Sequence, residues 1–210
     1  MKLQFLLEHF AVAVAAITGV LAARGKQVDM FGVLVLALVT AFGGGTVRDL
    51  MLGDVPVTWI RHASYLLNAA TTALVTFFLA QIFESRRNLL VLADAFSLAL
   101  FTIVGAEKAL NFQVSPASAI ALGVITGVVG GMLRDVLTGE IPLVFRPQIY
   151  LYATASLAGA AVFVGLVTLF PLNPSNALIG ISIVLVLRLV AIRWKVGLPV
   201  FGTDENANPS

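Results

Sequence analysis

The chain has 210 residues, of which 59% are hydrophobic and only 11% charged, and its mean hydropathy is +0.98. That is too apolar for a soluble domain of this length, and the charge-free runs are long enough to cross a bilayer, so an integral membrane protein is expected. A net charge of +2 gives no footing for nucleic acid as a partner, and the absence of cysteine excludes disulfides, thiolate metal sites and cysteine nucleophiles.

The first apolar run, about 6–23, follows Met1-Lys2 and ends in small residues, the outline of a secretory signal. Glu8 and His9 interrupt what would be its apolar core. The segment also repeats later at a fixed distance: Glu8 corresponds to Asp94, Phe10 to Phe96, Ile17 to Ile103 and Gly19 to Gly105, each 86 residues on. It is therefore read as a first membrane helix. Residues 24–29 form a polar connection to a second helix over 30–52, which contains Gly43, Gly44, Gly45, Thr46, Arg48 and Asp49. Glycine has poor helix propensity, so this helix is expected to unwind or bend at the triplet. Val55-Pro56 closes it, and Trp59, Arg61 and His62 read as an interfacial belt. A third helix is predicted over 63–83, and residues 84–87 end the first unit.

The second unit starts near Leu89, with a fourth helix that holds Asp94 near its beginning and Glu107-Lys108 near its end. Helix-end snorkelling and a pore-mouth role explain these three charges equally well. The fifth helix, 116–137, opens on Pro116, a favoured first helical residue, and carries Gly130, Gly131, Arg134 and Asp135. Arg134 follows Arg48, and Asp135 follows Asp49, by the same 86 residues, and Gly139-Glu140-Ile141-Pro142 repeats Gly53-Asp54-Val55-Pro56. A turn at 171–174 divides the next charge-free run into a sixth helix over 149–170 and a seventh over 176–194. Arg188, inside the seventh, is expected either to reach the cytoplasmic interface or to cap the bundle. The polar end, 203–210, is expected to be disordered.

The expected fold is an all-α integral membrane protein with seven transmembrane helices. Its parts are a three-helix repeat at 6–88, a second at 89–172, the seventh helix at 173–195 and a tail at 196–210. A repeat with an odd number of spans enters the membrane from opposite sides, so the halves are expected to be inverted about an axis in the membrane plane. Arg24, Lys26, Arg86, Arg87, Arg146, Arg193 and Lys195 fall on one side, and only Lys2, Arg61 and Lys108 on the other. The amino end is therefore expected outside and the carboxyl end in the cytoplasm of a cell's inner membrane.

Intramembrane charges mark a pathway or the structure that supports it. Neighbours in sequence do not share a helix face, so Arg48 is not expected to neutralise Asp49 directly, nor Arg134 to neutralise Asp135. Each is expected to reach carbonyls freed at a glycine break, or a residue of the other repeat. Two such breaks would offer carbonyl oxygens and helix ends to a cation or a small zwitterion; the plainer alternative is that the glycines serve tight packing and the charges lock helix ends. No phosphate loop, paired-histidine metal motif or Ser-His-Asp set is present, so neither an enzyme nor a resident cofactor is expected.

The doubled glycine cluster, Arg-Asp and Gly-acid-hydrophobe-Pro, followed by a seventh helix, resembles the bacterial YadS-type proteins with paired glycine-transporter domains. The prokaryotic trimeric intracellular cation (TRIC) channels share the pattern. The resemblance covers about 8–193 and implies a homotrimer with one hydrophilic pore per subunit between the repeats. It further implies pore lining by kinked second and fifth helices and passage of monovalent cations, chiefly potassium. Carried onto this chain, the kinks fall at Gly43, Gly44 and Gly45 and at Gly130 and Gly131, with Arg48, Asp49, Arg134 and Asp135 supporting or gating the pore. Val129 stands where Gly43 would recur. A bound lipid fits the class, although phosphoinositide-binding residues of animal relatives have no counterpart here. Inverted repeats equally suit a secondary transporter of glycine or another small zwitterion.

Overall fold

The computed structural model describes residues 2–82, 87–146, 151–171, 173 and 175–196. These form eight α-helices: α1 (Lys2–Ala23), α2 (Met30–Leu52), α3 (Thr58–Arg61), α4 (Ala63–Ile82), α5 (Arg87–Asn111), α6 (Pro116–Leu137), α7 (Tyr152–Leu169) and α8 (Ser175–Trp194), with a 3-10 turn at Leu143–Phe145. Seven are long and apolar enough to cross a bilayer, the exception being α3. The polar end expected at 203–210 lies outside the described residues, as does most of the connection at 84–87. The spans match the apolar runs because a helix satisfies its backbone internally, which is the condition for lying in hydrocarbon.

Local signals recur at the same offset. Asp29 caps α2 by accepting the Gly32 N–H at 2.7 Å, and Ser115 caps α6 by accepting that of Ser118 at 3.1 Å. Gly53 and Gly139 both take positive φ, 69° and 70°, to end those helices, as a left-handed residue past a helix terminus does. Immediately beyond, the Asp54 N–H donates to the Asp49 carbonyl and the Glu140 N–H to the Asp135 carbonyl, both at 2.9 Å. The short helix α3 and the 3-10 turn occupy corresponding places and were not legible in the sequence. Trp59, expected at the interface, instead turns inward. It stacks on Phe42 at 5.3 Å between ring centroids and donates from Nε1 to Thr46 Oγ1 at 3.0 Å.

The bundle is organised around α5, two-thirds of whose span (67%) is buried, against 17% for α4 at the rim of the subunit. Because α5 is continuous, it measures the inversion. Its Lys108 meets residues after and within the end of α2, whereas its Asp94 meets the end of α6. Fourteen residues of helix put those two places about 21 Å apart along the bundle. The corresponding ends of α2 and α6 therefore lie at opposite ends of the molecule, as an inverted repeat requires.

The glycine-rich segments do not unwind. Both α2 and α6 run uninterrupted through their glycines, so the expected break is replaced by close approach. A Cβ on Gly44 would lie 2.1 Å from the Thr126 carbonyl oxygen, and one on Gly130 would lie 2.4 Å from that of Thr40. The two contacts are one contact seen twice, because Thr126 corresponds to Thr40 and Gly130 to Gly44. The pseudo-two-fold axis passes between them. Thr40 and Thr126 also turn their hydroxyls back onto the Leu36 and Leu122 carbonyls, each at 2.6 Å, so each hydroxyl is satisfied within its own helix.

Candidate functional site

Two polar clusters stand at opposite ends of the bundle, one for each repeated Arg-Asp. In the first, Arg48 donates from Nε to Asp49 Oδ1 at 2.9 Å, with Nη2 2.7 Å from the same oxygen. Lys108 Nζ also donates to that oxygen, at 2.7 Å. Thr58 donates to Asp49 Oδ2 from its backbone N–H at 2.9 Å and from its hydroxyl at 2.8 Å. Lys108 continues to Asp54 Oδ2 at 2.6 Å, and Arg61 reaches Asp54 Oδ1 at 2.6 Å. Burial works against a charge on Asp54, but the hydrogen bonds and charges of Lys108 and Arg61 outweigh it, and its carboxyl is held below the usual range.

In the second cluster, Arg134 Nε donates to Asp135 Oδ1 at 2.8 Å and Nη1 donates to Asp94 Oδ1 at 2.9 Å. Asp135 Oδ2 accepts the Leu143 N–H at 2.8 Å, one residue before the place that corresponds to Thr58 in the first cluster. The Arg188 guanidinium lies 4.7 Å above the centroid of the Tyr152 ring. Arg134 and Arg188 have no exposed surface, and Asp94 and Asp135 are buried. Two cations and two anions thus neutralise one another inside the bundle, the condition under which charges persist at membrane depth.

Adjacent Arg and Asp residues therefore do pair, contrary to the expectation from helix faces. That rule compares short side chains projecting from a helix wall, whereas an arginine is long enough to curl around its own backbone to the next residue. The aspartates also reach outward, Asp49 to Lys108 of the other repeat and to Thr58 at the start of α3, and Asp135 to Leu143 at the start of the 3-10 turn. Asp94 is neither a pore-mouth charge nor a snorkelling one, because it is buried against Arg134. Arg188 lies inside the bundle rather than at an interface.

The glycines divide into two kinds. Gly43, Gly44 and Gly130 face the α2–α6 crossing; a Cβ on Gly43 would meet Leu133 Cδ1 at 2.6 Å and Gly130 Cα at 3.6 Å. Gly45 and Gly131, which correspond, face the arginines instead. A Cβ on Gly45 would lie 3.7 Å from Arg48 Nη2, and one on Gly131 would lie 3.6 Å from Arg134 Nη2, beside Tyr152 Oη at 3.2 Å and Asp94 Oδ1 at 3.3 Å. Gly45 leaves room beside its charge, whereas Gly131 packs tightly against the second cluster. At the first end that room is a small cavity of about 40 Å³ whose lining includes Gly45, Arg48, Asp49, Glu8, Tyr65 and Trp59. Tyr65 donates its hydroxyl to Glu8, so a carboxylate and a guanidinium face one space. The sequence pointed to Arg48, Asp49, Arg134 and Asp135 but not to Lys108, Thr58 or Tyr152 as their companions. The alignment of Glu8 with Asp94 was the available signal that those two acids serve matching sites.

The glycine transporter family matches the chain twice, at residues 5–81 and 91–168. The UPF0126 inner membrane protein YadS of Escherichia coli K12 is 43% identical over 209 residues, 97% of this chain and 99% of that protein. A UPF0126 membrane protein of Vibrio cholerae is 43% identical over 207 residues, 97% of this chain and 85% of the relative. Among solved structures, the trimeric intracellular cation channel orthologue from Rhodobacter sphaeroides superimposes with a TM-score of 0.88 at 39% identity, covering 93% of this chain and all of its own. A second structure, of a TRIC cation channel described for its conductance, gives 0.83 at 32% identity over 95% of this chain and 97% of the other.

Proposed function

We propose, from the premise that the chain belongs to the YadS-like membrane proteins with paired glycine-transporter domains, a family that includes the prokaryotic TRIC channels, that it conducts monovalent cations, chiefly potassium, as a homotrimer with one pathway per subunit. The observation that carries this reading is the inverted pair of charge clusters joined by a glycine crossing, in a fold whose solved neighbours are described as cation channels. At the crossing there is no room for even a methyl group between α2 and α6. The pathway therefore runs beside it, along the helix faces that carry Gly45 with Arg48 and Gly131 with Arg134. Asp49, Asp54 and Glu8 give the first end its carboxylates; Arg48, Lys108 and Arg61 hold the two aspartates in place, and Tyr65 holds Glu8. Weak, multi-site attraction of this kind lets a cation enter and leave. The excess of basic residues on one side supports an outer amino end and a cytoplasmic carboxyl end.

Planar-bilayer recording in asymmetric potassium chloride tests the proposal, with sodium then replacing potassium. Unitary currents reversing near the potassium potential are expected, and Gly45→Leu, which would fill the space beside Arg48, should reduce them at least tenfold. A silent bilayer containing folded, inserted protein would refute it. One observation favours a second reading: Glu8 and Arg48 face the same cavity with opposite charges, as a small zwitterion requires. That reading predicts saturable counterflow of labelled glycine without unitary currents.

A further inference from the structure

The two ends of the bundle use the same four residue roles in different arrangements. At the first end the Tyr65 hydroxyl holds Glu8, which makes no ion pair with Arg48 among the described residues, although both line the cavity beside Gly45. A Cβ on Gly45 has one neighbour within 4 Å apart from adjoining backbone, Arg48 Nη2 at 3.7 Å. At the second end the acid that corresponds to Glu8, Asp94, is drawn onto Arg134 at 2.9 Å. It closes over Gly131 together with Tyr152, which stands one residue past the place of Tyr65. A Cβ on Gly131 would lie 3.3 Å from Asp94 Oδ1 and 3.2 Å from Tyr152 Oη, so those oxygens are within 6.5 Å of each other, the sum of the two distances. Acid, arginine, glycine and tyrosine therefore leave room beside the glycine at one end and none at the other.

The shut arrangement also leaves polar atoms unserved. Asp94 Oδ2 and Arg134 Nη2 are buried with no hydrogen-bond partner among the described residues, and a buried polar atom without a partner costs free energy. Water admitted beside Gly131 would serve both. The first end shows what can hold the acid once it has left the arginine, a tyrosine hydroxyl. We propose that Asp94, Arg134 and Tyr152 form a gate across the pathway, shut in this structure, which opens when Asp94 passes from Arg134 to the Tyr152 hydroxyl. Arg134 keeps Asp135 on its Nε throughout, as Arg48 keeps Asp49, and water takes the place of Asp94. As a regulator of ion flow the gate rests on the conduction reading, but its opening is a change in hydration that can be measured without current.

Two measurements on the full-length protein test the gate. Single-channel recording of Tyr152→Phe isolates the hydroxyl, because phenylalanine keeps an aromatic ring 4.7 Å below the Arg188 guanidinium and removes only the group that receives Asp94. Openings should become at least tenfold rarer while each keeps its size; an open probability equal to that of the wild type overturns the gate. Hydroxyl-radical footprinting in liposomes reads water at the site directly. Relative to the free amino acids, Tyr152 should be labelled at least tenfold more than Leu98, which is 1% exposed on the helix that carries Asp94, and this excess should be lost in Tyr152→Phe. Labelling of Tyr152 with a silent bilayer supports the opening and counts against conduction. Currents with Tyr152 as protected as Leu98 uphold conduction and overturn the gate.

Discussion

Replacing Gly44 with alanine adds one methyl group at the place where the two halves of the molecule cross. The new Cβ would stand 2.1 Å from the Thr126 carbonyl oxygen, where ordinary contact begins at 3.4 Å. The obstacle is helix backbone, which cannot swing aside as a side chain does, so α2 and α6 must separate by more than 1 Å or shift in register. Overpacking of this kind costs about 1–3 kcal/mol, against which alanine recovers up to roughly 1 kcal/mol of helix propensity. At about 2–4 °C per kcal/mol for a chain of this size, the midpoint of thermal unfolding in detergent should fall by several degrees. Gly165→Ala is the control, because a Cβ there meets nothing within 4 Å, and its midpoint should hold or rise. Size-exclusion thermostability of both variants in one detergent makes the comparison. Equal midpoints would refute the assignment of Gly44 to a close backbone crossing.

Gly130→Ala should behave as Gly44→Ala does, since its Cβ would meet the Thr40 carbonyl at 2.4 Å, and the two should be less than additive when combined because both force apart the same crossing. Asp94→Asn leaves the fully buried Arg134 with one anion in place of two and should cost about 3–5 kcal/mol, seen as loss of monodisperse protein, whereas loss of Glu140, which pairs with the partly exposed Lys26, should change the midpoint little. The carboxyl of Asp54 is held below its ordinary range in the folded protein, so its contribution is fully present above the unfolded value of about 3.9 and is lost as the pH falls through the folded value. The difference in midpoint between the wild type and Asp54→Asn should therefore be constant from pH 8 to about pH 5 and close only below roughly pH 4. A difference that instead closes between pH 8 and pH 6 would contradict the Lys108 and Arg61 pairing.

The seven spans were legible because each is a long apolar run, and the inversion was legible because a three-span unit recurs at a fixed offset. What the repeated glycines do was left between a break and tight packing, and the structure takes the second. Glycine weakens an isolated helix, so Gly43, Gly44 and Gly45 suggest a break; in the bundle, the tertiary contact with Thr126 returns more than the propensity loses. Partners such as Lys108 for Asp49 and Asp94 for Arg134 lie 59 and 40 residues away, and no local pattern announces them. The helix-face argument against an Arg48–Asp49 contact failed because it treated side chains as directions and neglected their length.

The contact in which Gly44 meets Thr126 and Gly130 meets Thr40 has the form of an isologous interface, in which the same patch meets itself across a two-fold. In a true homodimer a substitution there would strike twice, and both ends of the assembly would change together. With both halves in one chain, each position can vary alone. The consequence is visible at the ends: Ala22 stands at the place corresponding to Lys108, so only one cluster has that lysine, while Arg188, carried on a helix without a counterpart, attends the other. A symmetric frame has in this way acquired two unlike faces, giving the molecule a front and a back across the membrane.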